Sequence, residues 1–380
     1  MKPSTPPEPP EPRPAPKAPS TGAGDQALFG PSKATSRLDG QVASARQQLD
    51  ARWHQWIADN RLRDCSPDSM LDTMIGAGLD ANEARSAIAL IDQSPGMVAA
   101  RKFQQIQRKL ESVLANQQKL WEISPGYAQV EKRSGVSRDE FIERYAVGSR
   151  PVVLTDVARD WPALRRWSPQ YLKEHFGRLE VQIQAERSAD PKFEQNKLAH
   201  RRTMRVAEFV DRVLTGGISN DYYLTANNEV LRRPEFAPLL QDIGSLPDFC
   251  RRADLARSVN FWFGPAGTNT PLHHDTMMLL HTQVVGRKRW RFISPLETPR
   301  LYNYVGVFSP IDIDHPDLAR YPLFRGVKVL DVIVEPGETV FLPLAWWHQV
   351  SGLEVSLSVS YTNIDLPNEY VFSDPQIGDW

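Results

Sequence analysis

The residues best suited to chemistry lie in one short segment, Thr270-Pro-Leu-His273-His-Asp275. Side chains alternate between the two faces of a strand, so His273 and Asp275 would share one face while His274 points away. Two histidines and one carboxylate that leave coordination positions open are the ligand set of non-haem Fe(II). The segment therefore predicts two of three ligands, although a single His-x-Asp triplet can also arise by chance among 8 histidines.

A third ligand would have to come from another part of the chain. The segment that ends in Trp346-Trp347-His348 follows a predicted turn, Pro336-Gly337, and a short apolar run at 339–342. A histidine at the end of such a strand can point into the mouth of a barrel. A core histidine packed among tryptophans accounts for the same residues. His348 is therefore the candidate third ligand.

A lysine supplies the third feature of interest, in Gly286-Arg-Lys288-Arg-Trp290. Because Lys288 leads into an apolar strand, its ammonium group could turn inward and bind a carboxylate. It could equally be one of several basic residues in a surface turn. The three features occur in order within one segment rich in predicted strands, and this coexistence favours a common site.

Short apolar runs dominate residues 258 to 362, and turn residues such as Gly264-Pro265 separate them. The runs lie at 259–263, 279–285, 290–293, 327–334, 339–342 and 355–361. Many short strands at such spacing indicate an all-β sandwich or barrel. Helical patterns precede them, so we predict a mostly β fold with flanking helices.

The first third of the chain has a different character. Residues 1–36 are rich in proline and predict a disordered tail, because they cannot bury enough apolar surface to offset the entropy of ordering. Residues 40–122 predict a helical region. Its last helix carries one apolar face at heptad spacing, formed by Phe103, Ile106, Leu110, Val113 and Leu120. This face could form a homodimer, and packing on the neighbouring domain is the simpler interpretation.

Composition limits the class of protein. The formal net charge of -1 gives no electrostatic argument for binding nucleic acid or an anionic membrane. No apolar run has the length that a membrane span needs, and the N-terminus lacks the apolar stretch of a secretory signal. Cys65 and Cys250 lie far apart in sequence, so a disulfide scaffold is not expected. A reducing, cytoplasmic location is the default expectation.

Together the motifs resemble the cupin-like branch of the JmjC oxygenases, which includes asparaginyl hydroxylases and a wybutosine tRNA hydroxylase. The resemblance covers residues 125 to 364 and includes an upstream segment, Arg150-Pro-Val-Val-Leu-Thr-Asp156. It implies a double-stranded β-helix, the cupin or jelly-roll fold, in a domain at 125–380. It also implies an oxidoreductase, a dioxygenase that hydroxylates a C–H bond with iron and 2-oxoglutarate.

The resemblance further assigns roles to individual residues. It implies that Fe(II) is held by His273, Asp275 and His348. It pairs Lys288 with the distal carboxylate of 2-oxoglutarate. The hydroxyl groups of Thr270 and Tyr223 would assist that lysine.

Two positions depart from the family pattern. Some members place asparagine six residues after the first histidine, where Leu279 stands here, and a second family asparagine corresponds to Ser360. His281 follows Leu279 on the same predicted face and is a candidate replacement donor to the cosubstrate. A packed, hydrogen-bonded histidine explains His281 equally well. The departures bear on how the metal-proximal carboxylate of 2-oxoglutarate is held.

The resemblance favours a protein or peptide side chain as the substrate. A small metabolite is the second alternative, and modified tRNA is the third, because the near-neutral charge disfavours nucleic acid. A different class is a non-catalytic cupin that binds a metal or ligand and acts as an interaction protein. Turnover of the cosubstrate would separate that class from the enzymes.

Overall fold

A computed structural model of the chain describes residues 49–226, 228–303 and 306–368. The predicted proline-rich tail at 1–36 lies outside the described residues. The chain divides into two compact units, Met1–Val113 and Leu114–Trp380. Across the described ranges, no helix combines the length and the apolar character needed to cross a bilayer.

The N-terminal region is helical, as predicted. Its helices are α1 (Ala51–Leu62), α2 (Pro67–Gly76), α3 (Ala81–Gln93) and α4 (Pro95–Glu122). Side chains of Ser66 and Asp80 cap α2 and α3 by accepting hydrogen bonds from backbone N–H groups of the first turn. Trp53 and Ile57 are fully buried in the core that α1, α2 and α3 share.

The apolar face of α4 is exposed. We call the five side chains of this face the α4 seam: Phe103, Ile106, Leu110, Val113 and Leu120. Each of them is more than half exposed. The steps between them, of three, four, three and seven residues, keep the heptad spacing at which one helix packs along another. An exposed row of this kind is typical of an interaction site.

We predict that the α4 seam pairs with the seam of a second copy. Replacing Leu110 and Val113 together by Glu should turn a dimer into a monomer, because two carboxylates would have to be buried between the helices. Multi-angle light scattering measures the mass. The control is Ser112→Glu with Ala115→Glu, two exposed positions of α4 outside the seam. A dimeric Leu110/Val113 variant, or a monomeric wild type, would contradict the prediction.

The second unit has the predicted mostly β fold with flanking helices, arranged as a cupin-type jelly roll. Its strands are β1 (Glu131–Arg133), β2 (Val152–Leu154), β3 (Glu180–Gln184), β4 (Arg201–Arg205), β5 (Val259–Gly264), β6 (Asn269–His274), β7 (Leu279–Val285), β8 (Lys288–Ile293), β9 (Leu330–Val334), β10 (Thr339–Leu342), β11 (Trp347–Gly352) and β12 (Ser356–Tyr361). One sheet has the order β1-β2-β10-β7-β12-β5 and the other β6-β11-β8-β9, while β3 and β4 form a separate pair.

The two large sheets face each other and share one interior. Val153 and Val340 of the first sheet form a buried cluster with Trp290, Phe292 and Val350 of the second. The opposite face of the six-stranded sheet is covered mainly by helices. These are α5 (Arg138–Glu140), which continues as a π-helix over Phe141–Val147, α6 (Ala163–Arg166), α7 (Pro169–Phe176), α8 (Val206–Thr215), α9 (Ala237–Gln241) and α10 (Leu255–Ser258).

Local signals predicted several of these elements and missed the extent of others. Ser168 caps α7 ahead of Pro169, as the sequence indicates. The aromatic and β-branched run at 222–225 predicts a strand, but the structure has only isolated bridges there, in which Tyr223 pairs with Gln184 and Leu224 with Phe263. Tyr223 is nevertheless buried, because it lies against the jelly roll rather than within either large sheet.

Gly286 lies in the connection that carries the chain from β7 in one sheet to β8 in the other. Its φ is +70°, and a Cβ there would collide with the carbonyl oxygen of Val355. Gly337 has φ +90°, but its Cβ would meet no atom closer than 3.5 Å. Alanine substitutions at the two glycines therefore distinguish the cost of a left-handed backbone, present at both, from the cost of a steric collision, present only at Gly286.

Replacing Gly337 by Ala should lower the free energy of unfolding by about 1 kcal/mol, the cost of left-handed backbone in a residue with a Cβ. Replacing Gly286 by Ala should cost about 1–3 kcal/mol more, because the backbone around Val355 must also shift. Urea denaturation measures both values. Equal costs for the two variants would show that Gly286 is not tightly packed.

Candidate functional site

The three predicted metal ligands lie together at one end of the jelly roll. Strands β6 and β11 are antiparallel neighbours in which His273 stands opposite His348, with ring centroids 4.1 Å apart. Asp275 follows the last residue of β6. Its Oδ1 lies 4.0 Å from Nε2 of His273, and its Oδ2 lies 3.7 Å from Nε2 of His348. One ligand atom from each residue falls within 4.8 Å of the others.

Backbone carbonyl groups fix the orientation of both imidazole rings. Nδ1 of His273 lies 2.8 Å from the Pro271 carbonyl oxygen, and Nδ1 of His348 lies 3.1 Å from that of Trp346. A carbonyl oxygen can only accept, so each Nδ1 carries the hydrogen and each Nε2 keeps a lone pair. Both lone pairs belong to the nitrogens beside Asp275. A hydrogen bond from the other ring nitrogen, here Nδ1, is characteristic of metal-binding histidines.

Burial keeps the innermost ligand candidate neutral. The His348 side chain is 4% exposed, and burial, followed by the influence of His273, holds the pKa of His348 well below its usual range. A neutral imidazole is the form that binds a metal. The Asp275 side chain is 35% exposed, so the cluster is open on the carboxylate side. The donor types and their orientation thus fit a divalent metal ion.

Lys288 is buried in the interior of the same barrel. Its Nζ donates to the Tyr223 hydroxyl at 3.1 Å and to the Ser358 hydroxyl at 2.7 Å. Over the described residues, no carboxylate forms an ion pair with it, and burial lowers the pKa of Lys288 to about 7. A buried ammonium group without a counter-ion is unfavourable. The position therefore fits an anionic ligand such as a carboxylate.

An irregularity in the sheet brings Thr270 to the inner face. Thr270 is three residues before His273, so regular alternation would put the two on opposite faces. The pairing of β6 with β11 shifts register between His348 and Val350, which leaves Thr270 opposite Val350. On its other side Val350 pairs with Trp290 of β8, which is two residues after Lys288 on the same strand. Thr270 therefore faces the interior near the lysine, without a direct contact to it among the hydrogen bonds of the described residues.

His281 also faces the interior, from the opposite sheet. It pairs with Val340 on one side and Ser360 on the other, and it is 4% exposed. Its ring lies 4.9 Å from that of Trp290. Burial, followed by the charge of Lys288 and then of His348, holds the pKa of His281 well below its usual range. The ring is therefore neutral near pH 7.

The two departures from the family pattern have different surroundings. Leu279 is partly buried and packs against the interior apolar cluster. The Ser360 hydroxyl accepts a hydrogen bond from the Trp262 indole at 2.9 Å. Neither residue offers the amide group that the resemblance would place there.

The sequence motifs did not indicate Ser358 or Trp290. Ser358 contacts Lys288, and the Trp290 ring stacks on that of His348 at 5.7 Å and 14°. Side chains alternate along β12, so Ser358 lies on the same face as Ser360. Once Ser360 was assigned to the inner face, the sequence could have indicated Ser358 as well. The stacking of Trp290 depends on the packing of two strands and had no counterpart in local sequence.

Comparison with known proteins agrees with this architecture. Residues 137–362 match the model of the cupin-like domain family. The chain is 33% identical over 233 residues to lysine-specific demethylase 8 of Xenopus tropicalis, covering 59% of this chain and 50% of that protein. It is 33% identical over 246 residues to lysine-specific demethylase JMJ30 of Arabidopsis thaliana, covering 61% of this chain and 54% of that protein.

A third relative carries a different name. The chain is 29% identical over 252 residues to human tRNA wybutosine-synthesizing protein 5, covering 63% of this chain and 79% of that protein. The chain spans about half the length of the two demethylases it matches. Because the family model covers more than half of the chain and its relatives are of the JmjC type, this protein belongs to the JmjC-type cupin-like domain family.

Proposed function

We propose that this protein is an Fe(II)- and 2-oxoglutarate-dependent oxygenase that hydroxylates a C–H bond of a protein or peptide side chain. One observation carries the proposal. Nε2 of His273, Nε2 of His348 and the Asp275 carboxylate converge, and the same barrel holds the buried, uncompensated ammonium group of Lys288. The first group suits a metal ion and the second suits a carboxylate. Membership of the cupin-like family supports the assignment.

The three ligand candidates would hold the metal. His273 and His348 supply neutral nitrogen donors, and Asp275 supplies an anionic oxygen donor. Three protein ligands leave coordination positions open for other molecules. When bound, iron and 2-oxoglutarate would supply the activation of O2 that oxidises a C–H bond. The protein orients the ligands and limits the access of water through the buried rings around His348.

Lys288 would bind the distal carboxylate of 2-oxoglutarate. The Tyr223 hydroxyl lies 3.1 Å from its Nζ and holds the ammonium group in place. Thr270 faces the same interior and adds a second hydroxyl group. A bound carboxylate would stabilise the charged form of Lys288, since an opposite charge at this distance raises the pKa of an ammonium group.

The names of the relatives narrow the substrate class. Two are lysine-specific demethylases and one is a tRNA wybutosine-synthesizing protein. Oxidation of an N-methyl group starts with its hydroxylation, so demethylation and hydroxylation share one first step. The net charge of -1 favours a protein substrate over RNA. Mass spectrometry of treated peptide, metabolite and RNA pools separates these substrates by an added oxygen atom or a lost methyl group.

Anaerobic addition of Fe(II) and 2-oxoglutarate should produce a visible metal-to-ligand charge-transfer band. His348→Ala should abolish the band, because the metal loses its most buried ligand. Absorption spectroscopy makes the measurement. His315→Ala is the matched control, since the His315 side chain is 88% exposed and far from these residues in sequence. A wild type with neither a band nor calorimetric binding of 2-oxoglutarate would favour the non-catalytic alternative.

The affinity for 2-oxoglutarate should depend on pH through Lys288. In the protein without 2-oxoglutarate, Lys288 has a pKa of about 7. The carboxylate of 2-oxoglutarate binds the protonated form of this lysine. Binding must therefore take up a proton above pH 7, and the apparent Kd should rise about tenfold per pH unit there. Below pH 7 the lysine is already charged and this dependence should disappear.

Calorimetry of the Fe(II)-loaded protein without O2 measures this dependence. Lys288→Met preserves the length of the side chain and should bind about tenfold to a hundredfold more weakly at pH 6.5, the loss of a charged hydrogen bond. It should also lack the rise above pH 7. The same pH profile in the wild type and Lys288→Met would exclude Lys288 as its origin.

A further inference from the structure

Two neighbouring polar atoms inside the barrel lack hydrogen-bond partners. Nε2 of His281 and Nε1 of Trp290 are both buried and contact no donor or acceptor in the part of the chain that the structure describes. The two rings lie 4.9 Å apart, nearly perpendicular at 69°. Buried polar atoms in proteins are almost always paired. Two adjacent exceptions therefore indicate a place for a polar group from outside the chain.

His281 has neighbouring aromatic rings that contact both parts of the proposed site, the metal ligand candidates and Lys288. On one side, Trp290 connects it to the metal ligand candidates, since the Trp290 ring stacks on His348 at 5.7 Å. On the other side, the Trp262 ring lies 6.0 Å from His281 and 5.7 Å from Nζ of Lys288. His281 thus lies between the metal ligands and the lysine.

Neither atom has a hydrogen-bond acceptor among the described residues. Val340 flanks His281 on one neighbouring strand, and the Ser360 hydroxyl on the other strand already accepts from Trp262. The indole nitrogen of Trp290 can only donate, so the group that fills the space must offer an acceptor. A neutral imidazole can donate from Nε2 to the same group. A carboxylate oxygen can accept hydrogen bonds from two donors.

We propose that His281 is a positioning residue that donates from Nε2 to the metal-proximal carboxylate of 2-oxoglutarate, with the indole N–H of Trp290 beside it. The inference rests on the proposed function. Lys288 and Tyr223 would bind the distal carboxylate, and His281 lies between these two residues and His348. On β7 the donor to this carboxylate is thus His281. Leu279, on the same face of the strand, contributes only apolar contact.

The test uses two variants of the full chain. His281→Leu removes the donor and keeps an apolar side chain of similar bulk. His281→Gln keeps an N–H group near the place of Nε2. Both are titrated anaerobically with Fe(II) and then with 2-oxoglutarate, and the charge-transfer band and the calorimetric Kd are recorded. Fe(II) binding without 2-oxoglutarate reports whether the variants fold.

His281→Leu should bind Fe(II) like the wild type, bind 2-oxoglutarate about tenfold more weakly and shift the band maximum. His281→Gln should restore both the Kd and the band position. The shift is decisive, because the band arises at the chelating end of the cosubstrate and a donor to the distal carboxylate would leave it in place. An unshifted band or an unchanged Kd in His281→Leu would overturn the inference. Absence of a band in the wild type would instead reject the proposed function itself.

Discussion

The antiparallel pairing of β6 with β11 is the constraint on which the candidate site depends. It puts His273 opposite His348, two residues that are 75 positions apart in sequence (348 − 273), and it fixes the distance between their rings. The carbonyl groups of Pro271 in β6 and of Trp346, the residue before β11, hold each Nδ1, so the local backbone also selects the nitrogen that faces Asp275. A register shift in this pair brings Thr270 inward as well. Loss of this pairing would separate His348 from His273 and Asp275.

The second constraint is the burial of polar groups between the sheets. Lys288, His281 and Trp290 place an ammonium group, an imidazole and an indole N–H in an interior that they share with a cluster of apolar side chains. Such groups are unfavourable in a closed core unless they are paired. Here they remain partly unpaired along one path from the metal ligand candidates to the lysine. That pattern is expected of a protein whose interior is completed by a bound anion.

Part of this arrangement could be read from local sequence. Alternation in a strand relates His273 to Asp275, and the apolar run predicted at 290–293 covers most of β8, which begins at Lys288. No predicted run covers β11, which carries His348. Caps at Asp80 and Ser168 mark where helices begin, because capping is a local interaction. The resemblance added the order of the motifs. The environment of His281 could not be predicted, since its neighbours come from β8, β10 and β12.

The sequence by itself determined the types of the chemical groups and their order along the chain. Strand periodicity and turn residues, which act over a few positions, indicated an all-β sandwich or barrel, and the family resemblance implied the jelly-roll class. Only the tertiary structure decided which side chains face the same interior, which of them already have partners, and that the seam of α4 stays exposed. Those outcomes depend on register between distant strands and on the volume that other side chains fill, and neither is specified by any short segment.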